Sequence, residues 1–258
     1  MTHISFSELK VWAECPFKHK LMYIDKVVGF VGNEFTAFGK AIHSFCEHSI
    51  VGAINESQYN DHFDSVFLKE LQMLDGKIEF RKPLISDMRL QGKQILPLVL
   101  PEVSKYFEDY EVFSVEEKLY EKIVDFDIKE YLFKGFIDLV LKTPDGKYHI
   151  IDWKTCSWGW KQEKKTDRLT TYQLTLYKKF FCQKHGIDPK MVETHFALLK
   201  RTAKKDNVEI FRVTSGQKKT NNANDLLLKA IANISNSIKF KNRMSCDRCE
   251  FNKTINCR

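Results

Sequence analysis

Three charged residues stand in stretches whose neighbours are almost all apolar. Asp138 lies within Gly135-Phe136-Ile137-Asp138-Leu139-Val140-Leu141, and Asp152 and Lys154 close the run Ile150-Ile151-Asp152-Trp153-Lys154. Ionised groups in buried strands are costly unless they are paired or hold a cation. Residues two apart in a strand share a face, so Asp152 and Lys154 point the same way. Two carboxylates brought together across a hairpin repel each other. A divalent cation removes that repulsion, and hard oxygen ligands favour Mg²⁺ or Mn²⁺. The combination suits phosphodiester hydrolysis, which needs an activated water, positive charge facing the developing negative charge, and alignment with the leaving oxygen. Asp138 and Asp152 would hold the metal with help from the Trp153 carbonyl. Lys154 would orient the attacking water, help it lose a proton, or stabilise the charge at phosphorus.

The elements that must position these groups are legible in the surrounding pattern. Residues 110–155 are rich in β-branched and aromatic side chains, and Pro144-Asp145-Gly146 is a turn signal between two of the runs. Segments 134–142 and 147–154 are therefore expected to form a hairpin, with Ile150-Ile151 buried on both faces. The first hundred residues read as mostly helical. Ser5 and Glu8 fit a capping box for a helix ending before Pro16. Amphipathic stretches follow at 37–50 and 58–74, then a longer one at 83–107 that Pro97 and Pro101 should break or kink. Beyond the hairpin, 168–185 has helical spacing and closes on Gly186. Strands are expected at 194–199 and 208–213, and a last helix at 217–240. No repeat or linker divides the chain, so 1–258 reads as a single α/β domain with a helical N-terminal part.

Gly135-Phe136-Ile137-Asp138 followed by Ile151-Asp152-Trp153-Lys154-Thr155 resembles motifs II and III of the PD-(D/E)xK nuclease superfamily. Gly39-Lys40-Ala41-Ile42-His43 and Gln173-Leu174-Thr175-Leu176-Tyr177 resemble the Gly-x-x-x-His and Gln-x-x-x-Tyr motifs of its RecB-like branch. The resemblance implies a restriction-endonuclease-like core, a central mixed β-sheet flanked by helices. It also implies a Mg²⁺- or Mn²⁺-dependent deoxyribonuclease, an exonuclease acting on single strands or DNA ends. A structure-selective endonuclease of the same fold, or a non-catalytic DNA-binding subunit of a recombination or repair complex, are the alternatives. In that branch the motif histidine reaches the metal, which makes His43 the implied third ligand. Gln173 and Tyr177, one helical turn apart, acquire a role in positioning DNA or the active-site loop. Glu116 or Glu117 would supply a further acidic ligand.

Seven cysteines without a membrane or secretory segment read as metal ligands or buried thiols. Cys246, Cys249 and Cys257 have metal-ligand spacing. The segment through Cys15-Pro16 resembles AddB-type and CRISPR-associated RecB-like nucleases, and this implies that Cys15 joins the other three around a [4Fe–4S] cluster that staples the chain ends. Four thiolates also suit tetrahedral Zn²⁺. Cys46, Cys156 and Cys182 read as packing residues.

A formal charge of +7, with 43% hydrophobic and 29% charged residues, describes a globular chain compatible with a phosphate-rich partner. Trp158-Gly159-Trp160 and the basic residues Lys161, Lys164, Lys165 and Arg168 follow the catalytic strand. Aromatics interleaved with cations suit single-stranded DNA, although inward-packed tryptophans beside a solvated loop fit equally. Lys200, Arg201, Lys204 and Lys205 form a second basic patch with the character of a solvated turn. No run is long enough to span a membrane. The expected setting is cytoplasmic, in a cell or encoded by a virus. No helicase motif is present, so a helicase or recombination partner, or assembly into a homo-oligomer, would have to supply processivity.

Overall fold

The computed structural model describes residues 2–124 and 131–258. It opens with a short strand, β1 (Thr2–Ser5), which leads into α1 (Phe6–Glu14), α2 (Pro16–His19) and a π-helical turn over Lys20–Ile24. Ser5 caps α1 as its sequence predicts, its side chain accepting from the Glu8 N–H. The reciprocal arm of a capping box is absent, because the Glu8 carboxylate instead accepts from His19 at 2.8 Å. Three longer helices follow: α3 (Glu34–Ile50), α4 (Tyr59–Gln72) and α5 (Lys82–Phe107). The α5 helix runs through Pro97 and Pro101 without the break that was one of the two expected outcomes. Both prolines are on its exposed side, where water can satisfy the carbonyls left without a partner. Its other side buries Ile95, Leu96, Val99 and Val103.

The sheet follows, as β2 (Glu111–Lys122), β3 (Tyr131–Lys142) and β4 (Tyr148–Cys156). After α6 (Gln162–Thr166) and α7 (Arg168–His185), β5 (Val192–Lys200) and β6 (Val208–Val213) complete it. The predicted hairpin is β3–β4, and Gly186 ends α7 in the left-handed region. The last helix, α8 (Gln217–Ser235), stops five residues earlier than its sequence suggested. Its buried residues end at Ile231, and no further apolar face follows to hold another turn. Sequence reading also missed β1, whose four residues are too few to show alternation.

The sheet is mixed, with β1 and β5 pairing in parallel to β3 and β4 and the other neighbours antiparallel. Its two faces are apolar. Leu139, Leu141, Ile151 and Trp153 pack beneath α3, α4 and α5, while Val140, Ile150, Phe196 and Leu198 pack against α7, α8 and α1. Helix α5 closes on α4 at Gly92, where an added Cβ would meet the Phe63 ring at 2.4 Å. Gly92→Ala is therefore expected to cost about 1–3 kcal/mol through overpacking, despite alanine's better helix propensity. Urea unfolding measures this directly, and an unchanged midpoint would mean that Phe63 has room to turn.

The pairing along β3 places the chemistry. Strand β2 occupies one edge of β3 over most of its length. On the other edge, β1 pairs with 131–134 and β4 with 139–142. Residues 135–138 lie between these two partners. At this interruption in the ladder a side chain, rather than another strand, can take up the neighbouring backbone groups.

Candidate active site

Asp138 stands at that interruption. The β3–β4 ladder ends at Leu139–Ile151, and the next N–H of β4, that of Trp153, donates to Asp138 Oδ2 at 2.7 Å. The side chain thus continues the sheet where the strands diverge. The Trp153 ring is buried in the opposite layer. His43, from α3, puts its Nδ1 3.5 Å from the same Asp138 oxygen. Gly39, one turn earlier, passes β4 closely enough that an added Cβ would lie 3.4 Å from Thr155 Oγ1. The Gly-x-x-x-His spacing is the spacing of one helix laid across two strands.

Asp152 is 2% exposed. Its Oδ1 accepts from Gln173 Nε2 at 2.8 Å, and the same amide donates to the Tyr177 hydroxyl at 3.2 Å. Its Oδ2 lies against Lys154 Nζ as a buried ion pair. Tyr177 fits because β3 has Gly135 opposite it. A Cβ there would come within 2.8 Å of the tyrosine ring.

Electrostatics bind these groups into one unit. Burial pushes the Asp152 carboxyl above its ordinary range, and the Asp138 charge adds to this against the opposing Lys154. Burial alone would lower the His43 imidazole, but the Asp138 and Asp152 carboxylates raise it. Tyr177 is raised by burial and by Asp152. Each carboxylate has a close nitrogen partner, Asp138 in His43 and Asp152 in Lys154. The ligand atoms of His43, Asp138 and Asp152 do not all lie within 4.8 Å of one another. Among the described residues that closeness is reached by His149, Glu193 and His195, on the other side of the sheet.

The two glutamates on β2 separate clearly. Glu117 is engaged by Lys184 and by His185, the latter at 2.9 Å. Against the upward pull of burial, hydrogen bonds from these side chains hold it below its ordinary value. Glu116 is level with Asp138, between the pairs Val115–Leu139 and Glu117–Ile137, in a left-handed backbone conformation with φ 49°. Burial raises its carboxyl, with Asp138 and Glu47 adding to the effect. Glu47 was not singled out in the sequence. It lies one helical turn beyond His43, and that i, i+4 spacing was the available signal.

The other candidates are divided in placement. Trp158 is 74% exposed, whereas Trp160 packs against Phe196 and Phe211 with Lys164 over its face. Lys200 and Arg201 are buried. Lys200 pairs with Glu209, and Arg201 donates to Gln91 and Ser157, so this part of the second patch is not a solvated turn. Cys15, Cys246, Cys249 and Cys257 all line one cavity of about 400 Å³. Cys15 Sγ accepts from the Asn242 N–H at 3.4 Å, and Asn242 Nδ2 and Ser245 Oγ both donate to the Glu14 carbonyl. Cys46 and Cys182 are buried and Cys156 partly so.

The sequence profile of the PD-(D/E)XK nuclease superfamily matches residues 3–254. No curated protein matches the chain by sequence. Among solved structures, a candidate exonuclease from Eubacterium rectale superposes with a TM-score of 0.60 at 16% identity, covering 98% of this chain and 89% of its own. The structure of SSO0001, also 16% identical, covers 97% of this chain and 84% of its own at a TM-score of 0.45.

Proposed function

Because the chain belongs to the PD-(D/E)XK nuclease superfamily, we propose that it is a Mg²⁺- or Mn²⁺-dependent DNA exonuclease of the RecB-like branch, acting on single strands or free ends. The observation that carries this reading is the convergence of two carboxylates, Asp138 and the buried Asp152, with Lys154 and His43 at one interruption of the sheet. Carboxylates held this close in a buried setting are costly unless cations offset their charge. Asp138, Asp152 and His43 would hold the ion, with the Trp153 carbonyl and Glu116 as further oxygen donors. When bound, the ion supplies a polarised phosphate and a water of lowered pKa.

The chain's own groups do the rest. Gln173 fixes the Asp152 carboxylate through Oδ1 and leaves Oδ2 facing Lys154. The Trp153 N–H fixes Asp138. Lys154, 31% exposed at its side chain, can reach a water or phosphate while still touching Asp152. There it would orient the nucleophile and offset charge on the phosphoryl oxygens. The Tyr177 hydroxyl accepts from the Gln173 amide and steadies it. The exposed Trp158, with Lys161 and Arg168 nearby in sequence, offers a stacking surface and cations for a single strand leaving β4. The Eubacterium rectale protein carries the name of a candidate exonuclease, in keeping with this reading.

A [4Fe–4S] cluster held by Cys15, Cys246, Cys249 and Cys257 is part of the same proposal. One zinc ion with Zn–S bonds near 2.3 Å would hold thiolates about 3.8 Å apart. The four cysteines line a common cavity without forming a close group, so the cluster reading rests on the resemblance at Cys15-Pro16, with a single zinc ion as the alternative. Lys18, Lys241, Arg243 and Lys253 line the same cavity and suit its negative charge.

The test is cleavage of end-labelled linear and closed circular DNA, single- and double-stranded, with Mg²⁺, Mn²⁺ or EDTA. Metal-dependent loss of linear but not circular single strands is expected. Cut circles would make the protein an endonuclease, and binding without cleavage would make it an assembly subunit. The β2 assignment has its own check in paired variants. Glu116→Gln is expected to weaken metal-dependent activity about 10-fold or more and Glu117→Gln to leave it unchanged, in a metal titration of each. Equal effects would remove Glu116 from the site.

A further inference from the structure

On the face of the sheet opposite Asp152, near the start of β4 and β5, two histidines are buried side by side. His149 is 8% and His195 2% exposed, and His149 Nδ1 stands 3.1 Å from His195 Nε2. Glu193 joins them, one ligand atom from each residue lying within 4.8 Å of the others. They open onto a cavity of about 490 Å³ that also contains Glu108, Asp109 and Asp145, with Arg212 as its one basic lining residue. In a chain of net charge +7 this acidic recess attracts cations.

Hydrogen bonding selects the tautomer. The Thr143 hydroxyl has one proton, and the Asp145 carboxylate at 2.5 Å is its strongest acceptor. Toward His149 Nε2, 3.0 Å away, Thr143 must then accept. His149 therefore carries its proton on Nε2 and presents the Nδ1 lone pair toward His195 Nε2. A carboxylate–hydroxyl–imidazole chain of this kind orients metal-ligating histidines. His195 Nδ1, in contrast, is buried with no partner. Metal ligation requires the neutral form of both imidazoles.

We infer that His149, His195 and Glu193 form a second metal site, separate from the carboxylate centre and taking a borderline transition ion such as Zn²⁺ in preference to Mg²⁺. Two imidazoles and one carboxylate suit zinc, with solvent completing a tetrahedron. Zn–N bonds of about 2.0–2.1 Å accommodate two ring nitrogens at this separation. The opposing group is Arg212, which pairs with Glu193 at 3.3 Å and is 57% exposed at its side chain, free to swing outward. The bound ion would clamp β4 to β5 beneath the end of α5, where Phe107 packs on both imidazoles.

Co²⁺ is the probe, added to chelator-treated protein and followed by visible absorption, because thiolate ligation announces itself by a near-ultraviolet charge-transfer band that nitrogen and oxygen ligands lack. One equivalent of Co²⁺ is expected to give ligand-field absorption without that band, displaced by Zn²⁺ and not by Mg²⁺. Thr143→Val should weaken binding about 10–100-fold, Glu193→Gln should weaken it, and Arg212→Gln should strengthen it. None of these variants removes a core side chain. Metal-dependent DNA cleavage, if the carboxylate site is read correctly, should survive all three. Absence of the thiolate-free absorption, or titrations identical in all four proteins, would overturn the second site whatever the outcome for cleavage.

Discussion

Asp152→Asn is expected to lower DNA cleavage by at least ~10³-fold while leaving the fold as stable as the parent or more so. The two effects have one cause. Burial holds the Asp152 carboxyl above its ordinary range, so its ionised form is a burden on the metal-free fold. An unfolded aspartate titrates near 3.9. Between that pH and the raised folded value, the folded protein retains a proton that the unfolded chain has released. Stability of the metal-free protein therefore falls as pH rises through this window. Asparagine keeps the Gln173 contact in modified form, never ionises, and escapes that loss. Divalent metal reverses the balance for the parent only, since an ion bound by the native state alone stabilises by about 2.7 kcal/mol at a hundred times its dissociation constant. Thermal unfolding with and without Mg²⁺, beside a cleavage assay, reads both. A variant that still cuts, or one that Mg²⁺ stabilises as much as the parent, would show that Asp152 is not the ligand. Lys154→Ala should reduce cleavage comparably, yet keep the metal-induced stabilisation, because Lys154 acts on water and phosphate rather than on the ion.

Cys15→Ser has the second largest expected effect, on integrity rather than chemistry. Asn242 N–H reaches Cys15 Sγ across 227 positions of sequence. A crosslink over such a span stabilises by about 5 kcal/mol in the chain-entropy account, a large part of a domain's total. Loss of bound iron, a lowered urea midpoint and easier proteolysis of 236–258 are expected together. Iron content and stability equal to the parent's would show that the cysteine cavity holds no cluster. Zinc at four equivalents of thiolate, with no iron after anaerobic purification, would replace the cluster by a zinc site.

The grouping of the candidate site residues was legible because it was carried by short strings with strict geometry. Asp152 and Lys154 are two apart on β4, Gln173 and Tyr177 four apart on α7, and both spacings specify a shared face before any tertiary contact is known. Sheet and helix types were equally plain wherever apolar periodicity ran for more than ten residues, as in α3 and α5. What the sequence hid depended on pairing at a distance. The choice between Glu116 and Glu117 turns on the register of β2 against β3. The continuity of α5 turns on which side of the helix its prolines occupy. The pair His149 and His195 becomes a pair only when β4 and β5 align in parallel, and their 46-residue separation leaves no local trace.

The parallel pairing of β1 with the first residues of β3 also orders events in time. Thr2 meets Tyr131, so the segment that starts the sheet waits for a partner made much later. At about 5–20 residues per second, the delay on the ribosome is on the order of ten seconds. Ile4, Phe6 and Leu9, fully or nearly buried in the finished protein, are exposed throughout that interval. The nascent chain is then a natural client for chaperones, and contacts of such high sequence separation favour slow folding. Since Gln173 lies beyond β4, no ribosome-bound fragment ending at the hairpin contains every candidate site residue, and the grouping is complete only once helix α7 has emerged.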